Sequence, residues 1–167
     1  MMRGGTSRGP YFLASDLPSD VQERDAILIS VMGAGHPLEI DGIGGGAAVT
    51  SKVAIVGPAT VAGADVDYLF AQVRVQEGVV DTSPNCGNML AAVGPFAIEA
   101  ALVPAADGVT VVRIHNVNTG KLIEAGLAAG AGKLTVLRTI ILPLMTPPLV
   151  AGIALCFVSS LGNFGIP

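Results

Sequence analysis

The feature that most constrains this chain is a loop that runs into a strongly apolar helical pattern over residues 80–103. Ser83-Pro84-Asn85 carries turn and helix-start chemistry. Pro presets φ, and the Asn side chain can accept from N–H groups that a first helical turn leaves free. Met89, Leu90, Val93, Phe96, Ala97, Ala100 and Ala101 then recur at three- and four-residue spacing, which predicts one helix with a buried face over 88–103. A helix this apolar wants sheet around most of its circumference, so strands must come from elsewhere in the chain. Cys86 stands at the head of the pattern. Free N–H groups and the helix dipole there would favour a thiolate or a bound carboxylate. The same position equally suits a small buried core cysteine.

The flanking text supplies the strands. Arg3-Gly4-Gly5-Thr6-Ser7-Arg8-Gly9-Pro10 is a glycine-rich turn, followed by a strand at Tyr11-Phe12-Leu13. Its N–H, hydroxyl and guanidinium groups suit a carboxylate or phosphate, and they suit an ordinary N-terminal turn as well. Ile27, Leu28 and Val31 mark a helix from Val21 to Met32, stopped by Gly33 and Gly35. Asp41-Gly42-Ile43-Gly44-Gly45-Gly46 is a second glycine-rich loop whose spacing does not fit a dinucleotide fingerprint. Thr50-Ser51-Lys52-Val53-Ala54-Ile55-Val56 enters a strand. Lys52 sits at the mouth of that apolar run, either as a partly buried, usable base or as a solvated lysine at a strand start. The second half of 65–75 and the stretch 110–117 alternate like strands. His36 and His115 have no partner at metal-ligand spacing, so no metal site is expected.

Charge and cysteine content narrow the partners. The net charge is −4 and there is no basic cluster, which argues against nucleic acid. Two cysteines in unlike surroundings form neither a disulfide framework nor a metal site, and fit a reducing compartment. The start, Met-Met-Arg-Gly-Gly-Thr-Ser-Arg-Gly, has no apolar core of a signal peptide. Nothing in the sequence sets an oligomeric state.

In order and spacing, several blocks resemble the PrpF-type isomerases, a family with the diaminopimelate-epimerase-like fold. It includes 4-oxalomesaconate tautomerase and 2-methylaconitate/aconitate isomerase. The blocks are Met2-Arg3-Gly4-Gly5-Thr6-Ser7, Ile40-Asp41-Gly42-Ile43-Gly44-Gly45, Thr50-Ser51-Lys52-Val53-Ala54, 65–73, Asn85-Cys86-Gly87-Asn88-Met89, and Val112-Arg113-Ile114 with Asn118-Thr119. The resemblance spans roughly residues 2–124. It implies an α+β fold, one half of a two-domain protein, with a mixed sheet wrapped around a central apolar helix. It also implies a cofactor-free 1,3-proton shift on a small unsaturated tricarboxylate, with Lys52 and Cys86 as the acid/base pair. Gly5, Thr6, Ser7, Asn85, Gly87 and Asn88 would bind substrate. The wording around His36-Pro37-Leu38-Glu39-Ile40 leans towards the tautomerase branch. Only the first of the family's two domains is expected here, with its first strand clipped, and the chain alone is expected to be weak or inactive.

From Glu124 the text changes. Glu124-Ala125-Gly126-Leu127-Ala128-Ala129-Gly130, followed by Ile140-Ile141-Leu142-Pro143, resembles the EAA loop of ABC-transporter permeases. No charged residue follows Arg138, and 149–161 with its flanks gives an apolar run of membrane-helix length. The resemblance implies a domain at 1–123 and a permease-like segment at 124–167 with an appended apolar helix. Through it the chain would contact a membrane or dock on an ABC ATPase. Two other readings stand beside this one: a buried helix of an ordinary domain, and a non-functional fusion of two gene fragments joined near Glu124.

Overall fold

Strand β4 (Lys52–Pro58) is an apolar run without alternation, and it is buried on both faces. Such a strand belongs at the centre of a sheet covered on two sides. It pairs in parallel with β3 (Tyr11–Leu13) and antiparallel with β5 (Val66–Arg74). The far edge of β5 is shared between two neighbours. Its first residues pair in parallel with β7 (Gly108–Asn116), and its last pair antiparallel with β6 (Val79–Asp81). Strand β8 (Lys121–Ala129) lies beyond β7. A separate hairpin, β1 (Met2–Gly4) with β2 (Ser7–Gly9), precedes the sheet and turns at Gly5, whose φ of 56° suits glycine.

The computed structural model describes residues 1–129, together with Leu142, Met145, Thr146, Val150, Ile153 and Ala154. Met1–Ala105 and Val111–Leu127 form one compact unit, and Ala106–Thr110 with Ala128–Pro167 form a second.

Between the β7-paired and β6-paired parts of β5, the edge opens at Phe70. Asn118 closes the opening with its side chain. Its Oδ1 accepts from the Phe70 N–H at 2.8 Å, and its Nδ2 donates to the carbonyls of Phe70 and Thr82 at 2.8 and 2.7 Å. One amide thus satisfies backbone groups that would otherwise lack a strand partner. It also ties down the loop that leaves β6 towards Cys86.

The two faces of the sheet carry separate cores. Helix α1 (Val21–Met32) covers one face, packing Leu28 and Met32 on Val53, Ile55, Ala71 and Val73. Its ends are those the sequence predicts. The Asp20 carboxylate accepts from the N–H groups of Gln22 and Glu23, and Gly33 closes the helix at φ 75°. The other face packs Ala54, Val56, Tyr68 and Phe70 against α2 (Gly87–Leu90) and α3 (Val93–Glu99).

That pair of helices corrects the single helix expected over 88–103. The N–H of Ala92 turns back to the Met89 carbonyl, and a new helix starts at Val93. Pro95 gives the reason. It has no N–H for the Ala91 carbonyl, so an unbroken helix would carry a proline inside it, whereas a restart at Val93 puts Pro95 in a first turn. Asn85 is not the cap either. Cys86 holds the N-cap position of α2, with no side-chain cap bond.

The join expected near Glu124 falls inside β8. The membrane-type helix expected over 149–161 and the Ile140-Ile141-Leu142-Pro143 block lie, isolated positions apart, outside the described residues, as does Cys156. Among the described residues no helix is long and apolar enough to cross a membrane.

Candidate active site

The site is assembled where the sheet edge splits. The loop after β6 is braced first. The Asp81 carboxylate accepts from the N–H and hydroxyl of Ser83 and from Arg74, and these bonds, the Ser83 hydroxyl foremost, lower its ionisation to about 2. Asn85 comes next. Its Oδ1 accepts from the Cys86 N–H and from Asn116 Nδ2, both at 2.8 Å. The Asn85 side chain therefore serves the residue at the helix head and not the helix itself.

Cys86 is 9% exposed and packs in the core of the α2/α3 face. Its carbonyl accepts from the Tyr68 hydroxyl at 3.3 Å and from the Leu90 N–H at 3.1 Å. Its sulfur lies 3.8 Å from Ser7 Oγ, which is 2% exposed. Tyr11 donates its hydroxyl to the Met89 carbonyl. Burial, and then the neighbouring Cys86 sulfur, push both phenols above their ordinary value, so they stay neutral donors.

The hairpin turn docks on the same helix head. Asn88 Nδ2 donates to Thr6 Oγ1 at 2.9 Å and reaches Ser7 Oγ at 3.4 Å. The close approach needs glycine. A Cβ at Gly4 would overlap the Asn88 carbonyl, and one at Gly5 would come within 2.8 Å of Asn88 Oδ1. Gly5, Thr6, Asn85, Gly87 and Asn88 are exposed, so a polar rim surrounds the buried Ser7 and Cys86.

Lys52 reaches this face from β4. Strand parity puts it with Ala54 and Val56, on the α2/α3 side, and its Nζ lies 4.9 Å from the centroid of the Phe70 ring. Gly9 lets the chain close up here, because a Cβ on it would overlap the Lys52 carbonyl and crowd Met89 Cε. The ammonium does not bond to Cys86. It donates to Gln72 Oε1 at 2.7 Å. The structure thus gathers Gly5, Thr6, Ser7, Cys86 and Asn88 by direct contact, joins Asn85 through the Cys86 N–H, and puts Lys52 on the same face.

One electrostatic expectation weakens. Helix α2 has only four residues, so little macrodipole acts at Cys86. What survives is local. Leu90 is the first N–H taken up within the helix, leaving those of Gly87 and Asn88 outside its ladder.

A profile described as PrpF protein matches residues 1–160. The chain belongs to the PrpF family. Its α+β, epimerase-like fold agrees with a crystal structure of methylitaconate-delta-isomerase, matched with a TM-score of 0.73 at 45% identity over 77% of this chain and 60% of that one. Escherichia coli (strain K12) YbhH is 61% identical over 132 residues, 79% of this chain and 38% of its own length. A protein from Novosphingobium sp. (strain KA1) named (4E)-oxalomesaconate Delta-isomerase is 52% identical over 134 residues, 80% of this chain and 38% of its own. The chain spans less than two fifths of the length of these two relatives. The PrpF match continues past 124, across much of the stretch expected to come from a transporter, and lends the permease reading no support.

Sequence reasoning missed Gln72, Glu39 and Asn116. Gln72 did leave a signal, since it follows Tyr68 and Phe70 on the inward face of β5, where a polar side chain needs a partner. Glu39 is 1% exposed and sits at φ 49°. One of its oxygens accepts from the Gly46 N–H at 2.9 Å and from Ser51 Oγ at 2.5 Å; the other, Oε1, is buried with no partner. No local pattern announces that.

Proposed function

We propose that this PrpF chain carries the acid/base machinery for a cofactor-free 1,3-proton shift on a small unsaturated tricarboxylate, such as 4-oxalomesaconate or an aconitate. Lys52 and Cys86 are the acid/base pair. The observation that carries the reading is their placement on one face of the sheet, with the Phe70 ring under the amine and Met89, whose methyl adjoins Gly9, three residues after the thiol. The name of the Novosphingobium relative, an oxalomesaconate isomerase, points to the same class of substrate, and methylitaconate, an unsaturated dicarboxylate, to the same kind of double-bond shift.

The step balances without a redox partner. One group removes a proton from a carbon next to the double bond. The electron pair moves across the allylic system while its charge rests on a conjugated carboxylate or enol oxygen. The other group returns a proton at the far carbon. Donors for that oxygen are at hand in the N–H groups of Gly87 and Asn88, Thr6 offers a hydroxyl to a second carboxylate, and Ser7 keeps its hydroxyl beside the Cys86 sulfur.

Ultraviolet monitoring of 4-oxalomesaconate or aconitate isomerisation, with Cys86→Ser and Lys52→Ala as variants, tests the assignment. The chain alone is expected to turn over weakly; loss of that turnover in both variants is expected, and an unchanged rate in either contradicts the assignment. A reading independent of turnover is protection of Cys86 from iodoacetamide by the tricarboxylate.

A further inference from the structure

We propose that Gln72 is a positioning residue that holds Lys52 Nζ on a neutral amide oxygen at the head of β4. The orientation of its amide follows from its surroundings. Gln72 Nε2 faces three carbonyl oxygens, Ser51 at 2.9 Å, Ala48 at 3.2 Å and Val73 at 3.3 Å. Carbonyls only accept, so the NH2 group must point at them and the oxygen must point at Lys52. The amine is therefore offered a fixed acceptor of no net charge, 2.7 Å away.

That choice of partner matters for a group that must give and take a proton. A carboxylate in the same place would form an ion pair and favour the ammonium. An apolar residue would leave the long side chain without its only hydrogen-bond acceptor among the described residues. The amide holds Nζ in place without setting a charge beside it. Gln72 also belongs to a clamp on the residue before Lys52. It binds the Ser51 carbonyl while Glu39 accepts from the Ser51 hydroxyl.

Other charges nearby do not take over this part. The titratable groups on elements packed against this face of β4 are Arg8 on β2, Tyr11 on β3, Tyr68 and Arg74 on β5, Cys86 at the head of α2, and Glu99 in α3. Arg74 is bound to Glu77 and Asp81. Asp67 pairs with Gly57 near the far end of the strand, where Asp16 closes the turn that Gly57 contacts. On the opposite face α1 carries Arg24 and Asp25, bound to each other. No ion pair among the described residues involves Lys52.

The inference rests on reading Lys52 as an acid/base group, but its test does not need turnover. The pH dependence of Lys52 acetylation by acetic anhydride, followed by peptide mass spectrometry with exposed Lys121 as internal reference, is measured for the parent chain, Gln72→Glu and Gln72→Met. The midpoint of the Lys52 curve should rise by about one pH unit or more with Glu and fall with Met. A merely structural role would move both variants the same way, through loosened packing. Midpoints that move together, or do not move, overturn the proposal. Should Gln72→Glu fail to fold, a Gln72→Met midpoint at or above the parent's overturns it alone. Opposite shifts alongside an isomerisation rate indifferent to Lys52→Ala would keep the Gln72 contact and discard the catalytic reading.

Discussion

Ser7 Oγ lies 3.8 Å from Cys86 Sγ, across 79 residues of sequence. The hydroxyl is buried, and Asn88 fixes the turn that carries it. It can donate to the sulfur when the thiol gives up its proton. At 3.8 Å the bond falls below the usual ~1.5–3 kcal/mol of hydrogen bonds to charged groups, at about 1 kcal/mol. Ser7→Ala should therefore slow alkylation of Cys86 by iodoacetamide near neutral pH about fivefold. An unchanged rate would remove Ser7 from the support of the thiol.

Close backbone approach makes a second prediction. Gly9→Ala would drive a Cβ into the Lys52 carbonyl, where no flexible side chain can yield, whereas a Cβ at Gly87 meets nothing within 4 Å. Urea unfolding should show Gly9→Ala destabilised by about 1–3 kcal/mol. Gly87→Ala should be neutral or stabilised by up to about 1 kcal/mol. Equal effects at the two positions would contradict the packing of β2 on β4.

Glu39 offers a third. It holds the glycine-rich loop at Gly46 and the start of β4 at Ser51 through one oxygen, and buries the other without a partner. Glu39→Ala removes that acceptor and should cost about 3 kcal/mol by chemical denaturation. Glu39→Gln keeps an acceptor oxygen for the Gly46 N–H and the Ser51 hydroxyl, so it should cost about 1 kcal/mol or less. A Gln variant as damaged as the Ala variant would show that these two bonds are not what Glu39 contributes.

Much of this fold could be read from local chemistry. Asp20 and Gly33 mark both ends of α1, and the alternation in the second half of 65–75 marks the latter part of β5. The blocks around Ser7, Lys52 and Cys86 could likewise be picked out as site candidates. What escaped depends on partners far away in sequence. Asn118 fills a gap in a sheet edge 48 residues away. Gln72 matters because Lys52 pairs with it across two strands. Asn85 looks like a helix cap, yet it is drawn instead to Asn116 and the Cys86 N–H. The break between α2 and α3 goes with Pro95, which the apolar spacing over 88–103 does not register.

Acid should weaken the β5–β7 junction. Asp65 accepts from the Arg113 guanidinium and from its main-chain N–H, and these bonds, the side-chain one foremost, hold its carboxyl below the ordinary range. A lowered folded value means that the stabilisation is present above the unfolded carboxyl value near 4 and is lost as pH falls through the folded one. The pair is largely exposed, so its worth is about 0.5–1 kcal/mol. Thermal melts of the parent and Asp65→Asn should differ at pH 7 and converge as pH falls below the ordinary carboxyl range. A constant difference at all pH values would contradict the sign.

The central claim is that Lys52 and Cys86 act as a pair on one substrate. Its most direct test is isomerisation of 4-oxalomesaconate in deuterium oxide, followed by proton NMR, for the parent protein, Lys52→Ala and Cys86→Ser. In each folded variant, isomerisation and the deuterium incorporation that accompanies it should fall about 100-fold or more, as loss of a positioned acid/base group requires. Parent-level isomerisation in either variant would contradict the account.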